Sequence, residues 1–182
     1  MIIDAVLPLL LENGSSVTSR QIAEAAGVAE GTILRAFGDK ESLRKAAVTR
    51  YLDPAPLLRE LDAIDSGLPL DAKVRLILGA LRHRFTGVFA VMSTLREEDR
   101  PAPVSMRDDI AERVAAALGA DQEKLGWSAA QVAQLARLLA FASSFPLLTA
   151  GSAFTDDELT ELILHGIVGS PDTGTTRDTH AR

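Results

Sequence analysis

The chain has 182 residues, of which 47% are hydrophobic and 24% are charged, so it is long enough for a compact domain with a substantial core. The absence of cysteine excludes disulfides, thiolate metal sites and a cysteine nucleophile. The formal charge of −6 argues at first sight against nucleic acid as a partner, since phosphate-binding surfaces are usually rich in Lys and Arg.

Two apolar stretches are candidates for a targeting or membrane segment. The N-terminal stretch has no basic start, and Asp4 stands where a signal peptide carries Lys or Arg. Residues 138–155 are uncharged over about the minimum length of a spanning helix, but they contain several serines and Pro146. A buried helix is the favoured interpretation of this stretch. We therefore expect a cytoplasmic protein with no membrane partner.

The first part of the chain predicts four short helices separated by glycines. Pro8 should kink or loosen the first of them. Thr18 and Gln21 form a capping-box pattern at the start of the second, and Gly27 closes it. The predicted helices span about residues 2–13, 18–27, 30–37 and 39–52.

The helices predicted after residue 53 are longer, and no strand pattern or internal repeat interrupts them. Ser128 caps one helix, and Thr155 with Glu158 forms a second capping box. These helices span about residues 55–65, 71–92, 104–118, 128–149 and 155–168. We therefore predict an all-α protein with an N-terminal domain over 1–52, a helical domain over 53–168 and a disordered tail over 169–182.

One spacing in the N-terminal domain is typical of a helix-turn-helix. Such a motif needs a small residue midway along its first helix, a turn residue that tolerates positive φ, and an apolar residue inside its second helix. Ala23, Gly27 and Ile33 supply these three features in that order. A helical hairpin inside an all-α enzyme can show the same pattern, so the spacing alone leaves DNA binding open.

The wider pattern closely resembles the TetR family of bacterial transcriptional repressors. The resemblance covers about fifty residues and is carried by the segments 2–6, 12–14, 18–28, 31–37 and 40–43. It implies three DNA-binding helices and a connecting fourth helix. It also implies that the helical domain dimerises and holds a small ligand.

The resemblance assigns phosphate contacts to the start of the second helix and major-groove contacts to the third. A helix N-terminus itself favours an anion, Gly31 permits close approach to DNA, and Arg35 is the one long cation of the third helix. The residues implied in DNA binding are Thr18, Ser19, Arg20, Glu30, Gly31, Thr32, Arg35 and Lys40.

Several usual DNA contacts of the family are replaced here. Ala29 and Glu30 stand where the family commonly has Ser and a basic residue, Leu34 stands in place of Tyr, and Ala36 in place of His. Residues 1–52 contain six basic and six acidic side chains, so the whole charge of −6 belongs to the rest of the chain. The objection to nucleic acid is therefore weaker, although the predicted DNA-binding domain is neutral.

Glu30 has two interpretations. As an acidic residue in the first turn of a helix, it is favourably placed against the helix dipole and merely tolerated near DNA. Alternatively, it accepts a hydrogen bond from a cytosine amino group in the major groove. The first interpretation is favoured.

In the helical domain, large apolar side chains are more often core than pocket lining, but in a ligand-binding helical domain the two overlap, and the few aromatic residues are the natural walls for an apolar effector. The candidates are Leu78, Leu81, Phe85, Phe89, Trp127 and Phe141. The helix at 128–149 is apolar on too many sides to be covered by one small monomer, and together with the amphipathic helix at 155–168 we expect it to form the homodimer interface.

These observations predict a homodimeric, ligand-responsive repressor that binds a palindromic DNA operator and responds to a small, apolar effector. The competing interpretation is a ligand-binding or interaction protein on the same scaffold that has lost useful DNA affinity. An enzyme is not expected, because the sequence shows no nucleophile, paired carboxylates or phosphate loop. Neither His83 nor His165 has a carboxylate at a metal-ligand spacing, and we expect no metal or cofactor.

Overall fold

The computed structural model describes residues 2–13, 16–93, 95, 97, 100, 106–149 and 153–166. Every regular element in these residues is helical, which confirms the predicted all-α class. The N-terminal helices are α1 Ile2–Asn13, α2 Ser19–Ala26, α3 Glu30–Phe37 and α4 Lys40–Leu52. The remaining helices are α5 Ala55–Asp62, α6 Leu70–Ser93, α7 Arg107–Leu118, α8 Ala129–Ser144, α9 Pro146–Thr149 and α10 Asp156–His165, with a 3₁₀ helix at Gly119–Lys124.

Local capping explains where these helices begin. The Thr18 hydroxyl accepts a hydrogen bond from the Gln21 amide at 3.2 Å, and the Gln21 side chain accepts one from the Thr18 amide at 2.8 Å. The same reciprocal pattern is present at the starts of α8 and α10. Gly27 ends α2 with a φ of +64°, a conformation that favours glycine. These predicted caps are confirmed.

Three predicted helix bounds were wrong. The helix expected over 128–149 is divided at Phe145, because the residue before a proline is driven into extended backbone and Pro146 has no amide hydrogen to continue the ladder. The helix expected from 55 ends at Asp62, and α10 ends at His165 before Gly166, whose φ is +67°. The helix α1 continues through Pro8. The predicted tail, residues 169–182, lies outside the described residues.

The buried residues form two main cores. The smaller one joins α1 to α4 and is built from Val6, Val17, Ile22, Ala23, Ile33, Leu43 and Ala47. The larger one joins α5, α6, α7, α8 and α10, with Leu78, Leu81, Ile110 and Leu118 fully buried. Between them lies a small group at which Val48 of α4 packs with Val91 and Leu95 near the end of α6. We call this contact of α1 and α4 with α6 the junction.

Candidate nucleic-acid interface

The helix-turn-helix spacing has the structural role that the sequence predicted. Ala23 is buried in α2, and Ile33 is completely buried in α3, so each helix turns one face to the small core. The turn between them carries Gly27 in the left-handed region. Because the buried faces fix the rotation of both short helices, the opposite face of α3 is held towards solvent.

That outer face contains most of the predicted DNA-binding residues. On α3, Gly31, Thr32 and Arg35 are exposed and lie within one helical turn of each other. At the start of α2, Thr18 and Arg20 are exposed and Ser19 is half-buried. Neither Arg20 nor Arg35 forms an ion pair with another residue that the structure describes, so both guanidinium groups are available to an anion. The structure thus brings this part of the predicted set together.

Lys40 occupies a different environment from the other predicted contacts. Its ammonium group donates a hydrogen bond to the carbonyl of Val17 at 2.8 Å, which ties the start of α4 to the loop before α2. The neighbouring Asp39 caps α4 by accepting from the Ser42 amide at 2.6 Å, and this bond lowers the pKa of the Asp39 carboxyl. Lys40 therefore has a positioning role within the domain, whether or not it also reaches a phosphate.

The electrostatic character of this face is mixed. Glu24 and Glu30 are exposed on the same two helices as the two arginines. At the start of α3, Ala29 occupies the N-cap position and supplies no side-chain hydrogen bond to the first turn. The Thr32 amide donates to the Ala29 carbonyl at 2.8 Å, so within this turn the Glu30 and Gly31 amides are left for water or for an external acceptor.

The predicted effector-binding residues divide into three groups. Leu78 and Leu81 are fully buried in the larger core. Phe85 and Phe89 each contact Phe141, with ring centroids 5.6 Å and 5.1 Å from that of Phe141. Phe145 joins them at 5.1 Å from Phe89, and we call these four rings the aromatic cluster.

Trp127 does not belong to this cluster. It lies in the turn before α8 with 54% of its surface exposed. Phe141 is near the other end of the same helix, about 20 Å away at 1.5 Å per residue. The sequence grouped Trp127 with the phenylalanines because the chain has few aromatic residues, and composition gives no distance between helix ends.

Sequence reasoning did not find the polar contacts of the junction. Arg84 of α6 donates to the backbone carbonyls of Tyr51 and Leu52 at 2.5 and 2.7 Å, and its guanidinium lies 5.7 Å from the Tyr51 ring centroid. It therefore caps the C-terminal end of α4. Burial lowers the pKa of Arg84. The adjacent Gly87 is covered so closely by the Tyr51 hydroxyl that a Cβ there would overlap it.

A cleft opens beside these contacts, between the N-terminal helices and α5 and α6. Its volume is about 300 Å³. We call it the junction cleft, and its lining residues are Ile3, Leu7, Ala47, Arg50, Tyr51, Pro56, Leu57, Glu60, Ala80, His83 and Arg84. No sequence pattern pointed to it, because its lining comes from four helices that are distant along the chain.

A buried ion pair was also missed. Lys73 of α6, only 1% exposed, contacts Asp121 of the 3₁₀ helix at 2.7 Å and the carbonyl of Leu118 at 3.2 Å. Hydrogen bonds from the ammonium groups of Lys124 and Lys73 lower the pKa of the Asp121 carboxyl, and the Lys124 bond has the larger effect. A signal was present, because Lys73 falls on the apolar face of α6 with Val74 and Ile77, where a solvated lysine would be out of place.

The part of the chain that the structure describes lacks two other classes of site. No cluster of His, Asp or Glu there could hold a metal ion. The prediction that neither histidine has a carboxylate at a metal-ligand spacing was wrong for His165, because Glu161 lies one helical turn before it and the carboxylate is 3.7 Å from the imidazole. His83 is exposed at the junction cleft. None of the described helices has the length and apolar character required to cross a bilayer.

Comparisons with known proteins agree with the geometry of the N-terminal helices. Residues 2–47 match the family described as "Bacterial regulatory proteins, tetR family". Comparison with curated proteins gives no significant match. Among solved structures, the transcriptional regulator FadR from Bacillus subtilis, in complex with stearoyl-CoA, is 19% identical and superposes with a TM-score of 0.55, over 91% of this chain and 97% of that one. The shared fold therefore extends beyond the N-terminal helices.

Two further structures superpose less closely on this chain. NalD, the secondary repressor of the MexAB-OprM multidrug efflux pump in Pseudomonas aeruginosa, is 23% identical with a TM-score of 0.48, over 90% of this chain and 89% of that one. A putative TetR-family regulator from Vibrio parahaemolyticus is 19% identical with a TM-score of 0.47, over 89% and 92% of the two chains.

Proposed function

We propose, from the match of residues 2–47 to the family described as "Bacterial regulatory proteins, tetR family", that the protein is a homodimeric, ligand-responsive transcriptional repressor. It binds a palindromic operator in the cytoplasm through α2 and α3, and a small effector releases it. The DNA-binding domain is residues 1–52, and residues 53–168 serve ligand binding and dimerisation.

The outer face of α3 carries this proposal. Gly31 leaves room for the DNA backbone or a base edge, Thr32 can donate to either, and Arg35 extends a guanidinium that is not consumed by an internal ion pair. Arg20 and the N-terminus of α2 supply phosphate contacts at one side of the groove. A buried Ile33 directly behind this face gives α3 the rigid backing that base recognition requires.

Dimerisation is supported by apolar side chains that the monomer leaves exposed. Leu138 and Phe141 of α8 are 56% and 45% exposed, and Leu147 of α9 is 81% exposed. Leu148 and Phe154 extend the same apolar character towards α10. Patches of this kind mark protein interfaces. A dimer also fits the proposed operator, since two recognition helices about 34–36 Å apart read two half-sites of a palindrome.

The proposed apolar effector contacts Leu78, Leu81 and the aromatic cluster; Trp127, about 20 Å from Phe141 along α8, is not among its contacts. Phe85 and Phe89 come from α6 and Phe141 from α8, so an effector inserted among these rings would alter the packing of two long helices. It needs to favour the altered conformation by only a few kcal/mol to release the DNA.

A second candidate function is a ligand-binding protein without useful DNA affinity. Its support is the engagement of cations inside the N-terminal domain: Arg44 is buried and paired with Glu41, and Lys40 is bonded to Val17. The exposed positive charges on α2 and α3 are then Arg20 and Arg35, and the exposed carboxylates of Glu24 and Glu30 on the same helices balance them.

Binding to DNA flanking the protein's own gene separates the two functions. We expect a retarded complex whose affinity falls about tenfold or more in Arg35→Ala, measured at several salt concentrations. Arg59→Ala is the matched control, since Arg59 is an exposed arginine of α5 outside the α2 and α3 surface. No retardation at low salt favours the second function, and equal affinity of the two variants removes Arg35 from the interface.

Glu30→Lys tests how the acidic residue acts. If Glu30 is only tolerated, the substitution strengthens binding to all sequences and makes the salt dependence steeper. If Glu30 accepts from cytosine, discrimination at one base pair is lost. A panel of single-base operator variants distinguishes these results.

A further inference from the structure

The junction cleft has the size and lining of a ligand pocket. Its volume of about 300 Å³ is at the lower end of the range of small-molecule sites. Most of its wall is apolar, with Ile3 and Leu7 from α1 and Leu57 from α5. A small ligand with an apolar body would therefore gain affinity by displacing water from this wall.

The charged residues of the cleft favour one kind of polar head. Arg50 and Arg84 both line it, together with His83, whereas Glu60 carries the carboxylate among the described lining residues. Arg50 is 68% exposed and only loosely paired, with 3.7 Å to the Asp53 carboxylate. The lining thus combines an apolar wall with two arginines and one carboxylate, and Asp53, just outside the lining, lies near both arginines.

The hydrogen bonding of Arg84 independently favours an anion in the cleft. Its two bonded nitrogens contact neutral carbonyl oxygens, and its Nε is buried without a hydrogen-bond partner among the described residues. A partly desolvated guanidinium whose hydrogen bonds are incomplete is stabilised by an anion brought close to it.

We propose that the junction cleft binds a small amphipathic carboxylate, with its apolar body against Ile3, Leu7 and Leu57 and its head near Arg50 and Arg84. The site is separate from the aromatic cluster. Its regulatory consequence rests on the proposed function: a ligand bridging α1, α4 and α6 reaches the DNA-binding helices directly and changes operator affinity. Binding itself does not depend on that function.

The cleft can be tested without DNA. Octanoate, octanol and octylammonium share one apolar body and differ in head charge. Calorimetric titration should give saturable binding of octanoate, about tenfold tighter than octanol, with octylammonium the weakest. Equal affinity for octanoate and octanol would overturn the assignment of a carboxylate.

The location can be read from single residues. Tyr51 is the chain's one tyrosine and lines the cleft, and Trp127 is its one tryptophan and lies outside the lining. In protein labelled with fluorotyrosine and fluorotryptophan, octanoate should shift the Tyr51 fluorine resonance and leave that of Trp127 in place. If octanoate leaves the Tyr51 fluorine resonance unshifted, the ligand does not bind in the junction cleft.

Three charge-neutralising variants test the position of the carboxylate head. Arg50→Gln should weaken octanoate binding about threefold, and Glu60→Gln should strengthen it to a similar degree. Arg59→Gln, the matched change outside the lining, should leave it unchanged. Identical behaviour of Arg50→Gln and Arg59→Gln would refute the proposed head position.

Operator affinity with and without octanoate then tests the regulatory step. A decrease or increase on addition of octanoate supports it, and an unchanged affinity rejects it. If the chain binds no DNA while octanoate still occupies the cleft, the repressor proposal fails and the binding site remains.

Discussion

The first four helices and the helices from α5 onward differ in how strongly the sequence specifies them. In the N-terminal part, turn geometry fixes individual residues: Gly27 and Gly38 hold φ values of +64° and +81°, and Thr18 completes a capping box. In the helical domain, capping boxes likewise fix the starts of α8 and α10, but the periodic pattern fixes only which face of each long helix is buried and not how the helices cross. A function tied to fixed turns can therefore be predicted from sequence, whereas a ligand held between long helices cannot.

The two parts also differ in charge and core size. The N-terminal 52 residues are neutral, and the remainder carries the charge of −6. The small core relies on a few side chains such as Ile22, Ile33 and Leu43, while the larger one gathers residues from five helices. Small cores bury a lower fraction of their chain and have less stability to lose. We expect the DNA-binding helices to unfold more readily than the helical domain.

Matched leucine truncations test that difference in stability. Leu43 and Leu78 are both fully buried, one in each core. Each Leu→Ala change should cost about 2–5 kcal/mol of unfolding free energy. We expect Leu43→Ala to abolish amide protection from hydrogen exchange in α1–α3 while α8 stays protected, and Leu78→Ala to lower protection in both parts. Uniform loss of protection in Leu43→Ala would show that the two cores unfold as one unit.

The all-α class, the positions of α1 to α4 and the capping boxes could be predicted because each depends on neighbours within a few residues. The break at Phe145 was missed, although Pro146 signalled it, because the apolar run around it continues without interruption. Exposure of Arg35 followed from the burial of Ile33 two positions earlier. These features are local, and local chemistry is sufficient for them.

Features that depend on tertiary contacts could not be predicted. The hydrogen bond from Lys40 to Val17 spans 23 positions, and that from Arg84 to Tyr51 spans 33. The junction cleft and the separation of Trp127 from the aromatic cluster depend on how whole helices cross. Helical periodicity carries no information on those crossings.

A polar contact of the helical domain gives the next largest expected effect. Asp121→Asn leaves the buried Lys73 ammonium without its ionic partner, and Tm should fall by roughly 5 °C or more. The control is Lys124→Gln, which removes only the 71% exposed partner of Asp121 and should change Tm little. A double variant with Lys73→Met should recover much of the loss.

The same contact has a defined pH dependence. Because the pKa of Asp121 is lowered in the folded state, its stabilising contribution is complete above the unfolded value and is lost as the pH falls through the folded one. The Tm difference between the wild type and Asp121→Asn should therefore shrink towards acidic pH. A difference that does not change with pH would contradict the ionic origin of the effect.

Two glycines of α6 test the contact between the two parts. Replacing glycine inside a helix with alanine should add about 1 kcal/mol of stability where space allows. At Gly79 the new Cβ would meet only Asp156, at an ordinary distance of 3.5 Å, whereas at Gly87 it would overlap the Tyr51 hydroxyl. We expect Gly79→Ala to raise Tm, and Gly87→Ala to lower it and to change operator affinity by displacing α4. Equal Tm shifts would mean that Tyr51 moves away from the new Cβ at position 87 without a cost in stability.

The smallest predicted effect concerns the uncapped start of α3. Ala29→Ser supplies an N-cap acceptor that the structure lacks and should stabilise the N-terminal domain by about 1 kcal/mol. Ala36→Ser is the matched control: Ala36 is exposed in the same helix, and serine in a helix interior is slightly destabilising. Hydrogen exchange in α2 and α3 should slow in the first variant and quicken slightly in the second. If both variants shift exchange in the same direction, the missing cap does not limit the stability of α3.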